Sequence, residues 1–413
     1  MFLNCFFIYF FLLDYLLFMF LFFLFYFFFY VFLISFFYFF LMKIRDIIFL
    51  SIAFSIVYFS HLFVVWTIEC LYLNKMHVLD YFIPLIIIII IGGLPFIFYF
   101  INETIYCISY LIMTIYSGYF LYIFLISLLI RFIHIFMKFT PWFGLLILFL
   151  IPGIISIYGL INAYFIAKVE YVNLKYPYYN GKTQILLLSD IHLGAIYQKN
   201  TIKRIVEKIK ELLPDIVVIT GDLADGSLKV KSDWLSPFNQ LTIPILYITG
   251  NHELMNGVPE LLSCINTTNI KHIGGEQFEF RGINFIGIDF EDNLKNNLEN
   301  INNNEKGIPN IVICHVPLMT PNDLSKYNIF LFLCGHTHGG QLFPFNIFAY
   351  FMNKCFSGLY SNNSYRNHVY VSEGINTAFT PMRIGSNKTY AMITVEGNEY
   401  DEEDEKEILL DNV

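Results

Sequence analysis

Cys334-Gly335-His336-Thr337-His338-Gly339-Gly340-Gln341 follows directly on the apolar run Ile329-Phe330-Leu331-Phe332-Leu333. A run of β-favouring residues ending in glycines and two histidines reads as a buried strand that passes into a tight loop, where side chains are aimed at one point. Four earlier runs end the same way. Ile185 to Leu188 leads to Asp190-Ile191-His192, and Ile216-Val217-Val218-Ile219 leads to Gly221-Asp222. Ile245-Leu246-Tyr247-Ile248 leads to Gly250-Asn251-His252-Glu253, and Ile311-Val312-Ile313-Cys314 leads to His315. Each run therefore delivers a carboxylate, amide or imidazole to a strand end, and these groups coordinate metals.

Around these runs the pattern is layered. Strand stretches at 184–189, 215–220, 244–249, 284–289, 310–314 and 329–334 alternate with helical patterns at 199–213 and 257–265. Alternation of this kind argues for an α/β domain.

The rest of the chain is of another kind. Of its 413 residues 57% are hydrophobic and 14% charged, and the apolar excess lies before residue 168. A helix needs about 20 apolar residues to cross a bilayer, and lipid offers the backbone no hydrogen-bonding partner, so these stretches are expected to be spanning helices. Residues 2–42 accommodate one long span, a signal-like segment plus a span, or a tight hairpin. Further spans are expected at 47–68, 81–101, 105–130 and 142–167, five in all, or six if the first run is a hairpin. Gly92-Gly93 with Pro95, and Pro152-Gly153, mark expected kinks or close helix contacts. The expected organisation is a polytopic membrane domain over 1–167, a linker over 168–182, the α/β domain over 183–397 and an acidic disordered tail over 398–413. Lys43 and Arg45 favour a cytosolic loop after the first span and hence a cytosolic C-terminal domain. The sequons at Asn102, Asn266, Asn362 and Asn387 allow the opposite side.

The ordered set Asp190-x-His192, Gly221-Asp222, Gly250-Asn251-His252-Glu253, His315 and Gly335-His336-x-His338 resembles the calcineurin-like metallophosphoesterase family, over about residues 183 to 397. The form Gly335-His336-Thr337-His338-Gly339-Gly340-Gln341, with Pro344 beyond it, is similar to the membrane-associated branch of that family. The resemblance implies two packed β-sheets flanked by helices, and two divalent metal ions about 4 Å apart with one shared ligand. It assigns Asp190, His192, Asp222 and His338 to one ion and Asp222, Asn251, His315 and His336 to the other, with Asp222 as the bridge. Oxygen and imidazole ligation suits Mn, Fe, Zn or Co. The implied activity is hydrolysis of phosphomonoesters or phosphodiesters by a hydroxide bridging the metals, with His252 as general acid to the leaving group.

Several residues lie outside that set. Arg383, in Thr380-Pro381-Met382-Arg383-Ile384-Gly385, resembles a late motif of the branch and is expected to meet a phosphate. Asp225, before Gly226, reads as a turn residue, and Glu253 is expected either to orient His252 or to cap the next helix. His61 is expected to be a satisfied side chain of its span. Phe343 to Met352 is unusually apolar for a segment that follows metal ligands. It reads as a covering loop or as an interfacial helix that brings lipid phosphoesters to the site. The expected partners are thus the lipid bilayer and a phosphoester substrate, with lipid headgroups as one class. A membrane-tethered protein phosphatase and a non-catalytic membrane receptor or scaffold that keeps the fold are the rival readings. No basic stripe points to nucleic acid, and no motif names a protein partner.

Overall fold

The computed structural model describes residues 44–72, 78–137, 140–165, 167–177, 179–295, 298, 308–362 and 367–397. The first apolar run, most of the Asn-rich segment at 293–304 and the acidic tail lie outside the described residues, so the expectations placed on them are not addressed. Among the described residues, four helices are long and apolar enough to cross a membrane: α1 (Ile44–Tyr72), α2 (Phe82–Tyr99), α3 (Glu103–His134) and α4 (Pro141–Phe165). Each falls on one of the last four expected spans. Asn102 caps α3 by accepting from the Ile105 amide at 3.0 Å, with Glu103 in the first turn and Arg131 and His134 in the last. Glu103 and Arg131 complement the helix dipole. His61 is buried and fully engaged: Nδ1 lies 2.8 Å from the Val57 carbonyl, Nε2 lies 2.9 Å from the Tyr116 hydroxyl, and the ring stacks on Phe120.

The chain divides into two compact units between Ile157 and Tyr158, inside α4, ahead of the boundary expected at residue 167. The second unit is built on two mixed six-stranded sheets. One has the order β1 (Ala167–Lys175), β12 (Lys388–Glu396), β2 (Lys182–Leu188), β3 (Ile216–Thr220), β4 (Ile245–Ile248) and β5 (Ile270–His272). The other runs β10 (Gly358–Asn362), β11 (Asn367–Val371), β9 (Leu331–Cys334), β8 (Asn310–Cys314), β7 (Ile283–Ile288) and β6 (Gln277–Phe280). The stretch 168–182, expected to be a linker, instead carries β1, which pairs in parallel with β12 from Ala167 to Lys175. Val169, Val172 and Leu174 pack on the two hydrophobic cores, which the reading by charge and turn residues overlooked.

Alternation along the strands builds the sandwich. Ile185, Leu187, Ile216 and Val218 face Ile311, Ile313, Leu331 and Leu333 between the sheets. Their neighbours Leu186, Leu188, Val217 and Ile219 point outward, against Ile202, Ile205 and Ile209 of α5 (Lys199–Leu212) and Leu261 and Ile265 of α6 (Val258–Ile265). On the far face, Val312, Phe332 and Val369 pack with Leu324 and Cys355. Strands β2, β3 and β4 are parallel in one sheet and β8 and β9 in the other. Parallel strands need their hydrophobic runs buried on both faces, so polar groups appear only where the strands end. Five such ends carry the motifs quoted at the outset.

Candidate metal centre

The loops at these strand ends turn sharply. Asp190, His192, Asp222, His336 and His338 all have left-handed backbone conformations, with φ between 50° and 73°. Such φ values cost a non-glycine residue on the order of 1–3 kcal/mol each and persist only where the surroundings enforce them. The reversal swings each side chain back over the sheet ends. Two glycines make the crowding feasible. A Cβ on Gly335 would overlap the Ser189 side chain, and one on Gly250 would overlap the Asp222 carboxylate.

The structure brings together every residue of the expected ligand set. On one side, His192 Nε2 and His338 Nε2 lie 3.0 Å apart, and Asp190 Oδ1 lies 3.3 Å from His338 Nε2. On the other, Asn251 Oδ1 lies 3.1 Å from His315 Nε2 and 3.0 Å from His336 Nδ1. Asp222 stands between them, its Oδ2 3.3 Å from His315 Nε2 and 3.8 Å from His192 Nε2. His252 Nε2 is 3.9 Å from the same oxygen. Asp190, His192 and His338, then His192, Asp222 and His252, then Asp190, Asp222 and His315 form three overlapping buried groups, each able to hold a metal ion.

Three of the four imidazoles in the expected ligand set are neutral in this environment. Burial holds His192 and His338 well below the ordinary histidine range, and it lowers His336 to about 4, so these rings are neutral and carry lone pairs. Burial also opposes charge on His315, but the Asp222 and Asp190 carboxylates outweigh it and push His315 up to about 10. Asp222 is buried too, yet His315, His252 and His192 around it hold it well below the usual carboxylate range. Asp190, with fewer such neighbours, is raised by burial to about 6. The Thr220 carbonyl accepts from His315 Nδ1 at 2.7 Å, which leaves Nε2 facing the cluster. Buried oxygen and imidazole donors without a thiolate make a set that suits divalent Mn, Fe, Zn or Co.

Residues around the cluster do work that the sequence reading assigned otherwise or missed. Glu253 neither orients the His252 ring nor caps a helix. Its fully buried carboxylate accepts from the amides of Asp222, Leu223, Ala224 and Gly250, at 2.6 to 3.3 Å, and so ties two ligand loops together. Burial and the Asp222 charge raise it to about 7. Asp225 closes a turn by accepting from the Ser227 amide and hydroxyl, while its carbonyl lies 3.1 Å from His252 Nδ1.

Arg383 corrects the expectation of a phosphate contact. The side chain is fully buried and spends its guanidinium inside the fold. It donates to the carbonyls of Glu373, Gly374, Asn376 and His338 and to the Ser386 hydroxyl. Burial lowers its pKa only to about 10, so it remains charged at neutral pH. Gln341, the last residue of the opening stretch, was assigned no role. Its amide donates to the Ala378 and Thr380 carbonyls and accepts from the Ala378 amide. Asn376 in turn donates to the Ile191 carbonyl at 2.6 Å. A spacing pattern shows none of this, because the partners are carbonyls distant in sequence.

The sequence that builds this domain is similar to that of known proteins. Residues 183–340 match the family model described as calcineurin-like phosphoesterase. An uncharacterized metallophosphoesterase of Helicobacter pylori is 32% identical over 211 residues, 48% of this chain and 56% of that one. The transmembrane protein with metallophosphoesterase domain of Bos taurus is 31% identical over 262 residues, 57% of this chain and 59% of that one. The match thus spans little more than half the length of these relatives. Among solved structures, a purple acid phosphatase from yellow lupin seeds aligns at 14% identity over 55% of this chain and 47% of that one, with a TM-score of 0.32. The chain carries a calcineurin-like metallophosphoesterase domain.

Proposed function

We propose that this chain is a membrane-bound, metal-dependent phosphoesterase that hydrolyses phosphomonoesters or phosphodiesters, with lipid headgroups as the favoured substrate class. The supporting observation is the position of the Asp222 carboxylate between two sets of buried donors, with His252 beside it. Asp190, His192 and His338 would hold one divalent ion, Asn251, His315 and His336 the other, and Asp222 both. When bound, the two ions would supply the positive charge that stabilises phosphate oxygens and a water-derived nucleophile.

The protein's own groups set the rest. The His252 amide donates to Asp222 Oδ1 at 2.9 Å and its Nδ1 faces the Asp225 carbonyl, so Nε2 is turned toward the cluster. From there it holds a proton for the leaving oxygen. Glu253 fixes the loops of Asp222 and Asn251, while Arg383 fixes the loop of His338. A purely binding role for the domain would leave this complete donor set without a purpose. The exposed apolar helix that follows the ligand loop favours lipid over phosphoprotein substrates.

The test is metal-dependent release of nitrophenol from bis(p-nitrophenyl) phosphate by the purified full-length chain. Asp222→Asn is expected to lose bound metal and activity together. His252→Ala is expected to keep metal and lose turnover by about 10²–10⁴-fold. Wild-type protein that binds metal but releases no nitrophenol, from this or the monoester, would sink the assignment.

A further inference from the structure

Helix α7 (Phe345–Met352) begins a few residues after His338 and has the sequence Phe-Asn-Ile-Phe-Ala-Tyr-Phe-Met, with no charged residue. None of its eight residues is buried. Ile347 is 45% exposed, Tyr350 59%, Phe351 78% and Met352 71%. Exposed apolar surface of this density on one short helix marks a contact surface.

What that surface meets follows from its anchorage. Asn346 sits where a Cβ on Gly340 would be, so α7 is seated directly on the ligand loop. Just before the helix, the Phe343 amide donates to the Ile384 carbonyl at 2.8 Å, and Leu342 bridges Ile384. The segment around Ile384 is in turn held by the end of α4. The Arg383 amide donates to the Gly159 carbonyl at 3.0 Å, and the Asn162 amide donates to the carbonyls of Arg383 and Ser386, each at 3.1 Å. A Cβ on Gly159 would stand 3.0 Å from the Ile384 side chain. All of these residues belong to the second compact unit. The last turns of a membrane-capable helix, with Ile161, Tyr164 and Phe165 exposed, are therefore joined to α7 by hydrogen bonds through one short segment. Tyrosine at the end of such a helix settles at the headgroup level.

We propose, resting on the phosphoesterase reading above for the substrate, that α7 lies in the headgroup–acyl boundary of the bilayer that α4 enters. There it presents the metal centre to phosphoester groups of membrane lipids. An uncharged aromatic face suits that boundary, and its seat on Gly340 places the lipid surface at the loop that carries His338.

The test uses full-length protein in nanodiscs of phosphatidylcholine doped with phosphatidic acid. Photoreactive benzoylphenylalanine replaces Phe351 or, as a control, Leu213, which is exposed but precedes strand β3 at the sheet end opposite the ligand loops. Lipid adducts at position 351 and none at 213 are expected. Adducts to a second protein chain at 351, or equal lipid capture at both positions, overturn the proposal. The double variant Phe351→Glu, Met352→Glu is then expected to lower phosphatidic acid turnover about tenfold while leaving bis(p-nitrophenyl) phosphate turnover unchanged. Equal loss on both substrates, or on neither, also overturns it. If wild-type protein hydrolyses no phosphoester yet captures lipid at 351, the catalytic reading fails while the placement of α7 stands.

Discussion

Arg383→Lys separates a strut from a substrate contact. The guanidinium makes five hydrogen bonds from two nitrogens, to the carbonyls of Glu373, Gly374, Asn376 and His338 and the hydroxyl of Ser386. An ammonium has three donors on a single nitrogen and cannot reach both sides of that fork. At least two acceptors are left buried and unmet, at about 1–2 kcal/mol each, so the domain is expected to lose roughly 2–4 kcal/mol. For a unit of this size that corresponds to a fall of about 4–16 °C in Tm. The loop of His338 loosens with it, so bound metal is also expected to fall. The assay is thermal unfolding of detergent-purified full-length protein, paired with metal content and with KM and kcat on a soluble aryl phosphodiester. An unchanged Tm and metal content with a raised KM would refute the strut and restore the substrate contact.

Glu253→Gln replaces one carboxylate oxygen by an amide that faces two backbone N–H groups. Stability is expected to drop by about 2–4 kcal/mol, with weaker metal retention, checked by denaturant unfolding and metal analysis. Asn162→Leu leaves the Arg383 and Ser386 carbonyls short of a donor, and a loss of about 1–3 kcal/mol is expected from the same unfolding experiment. His272 Nε2 lies 2.8 Å from Asp289 Oδ2, and this bond raises the histidine above its ordinary pKa despite burial. A raised histidine stabilises the fold fully below its unfolded pKa, about 6.5, and the contribution is lost as pH rises through the higher folded value. Tm measured against pH should therefore decline above about pH 6.5 in wild type, and His272→Gln should flatten that decline.

Much of the site could be read before folding was considered. Carboxylate, amide and imidazole groups are able to bind metal and a buried strand must be apolar, so the succession of the two kinds along Ile185–His192 or Ile329–His338 is legible in one dimension. The four membrane-capable helices were equally plain, since a long apolar run with few charges is legible as a helix able to cross lipid. β1 escaped notice because a strand at the sheet edge is only half covered, and Lys168, Glu170 and Lys175 give it the charge of a linker.

Composition and the apolar runs by themselves marked the two kinds of domain and the polar groups at the strand ends, and the resemblance to a known family turned those groups into candidate metal ligands. The tertiary fold alone decided which residues serve the centre from behind. Arg383 was misread as a ligand for phosphate, and Glu253 was misread as a partner of the His252 ring or a helix cap. Both are charges whose partners are backbone amides or carbonyls, which every residue carries and no sequence pattern marks. Whether a buried charge faces substrate or its own backbone is set by loop geometry, and that geometry exists only once the two sheets have packed.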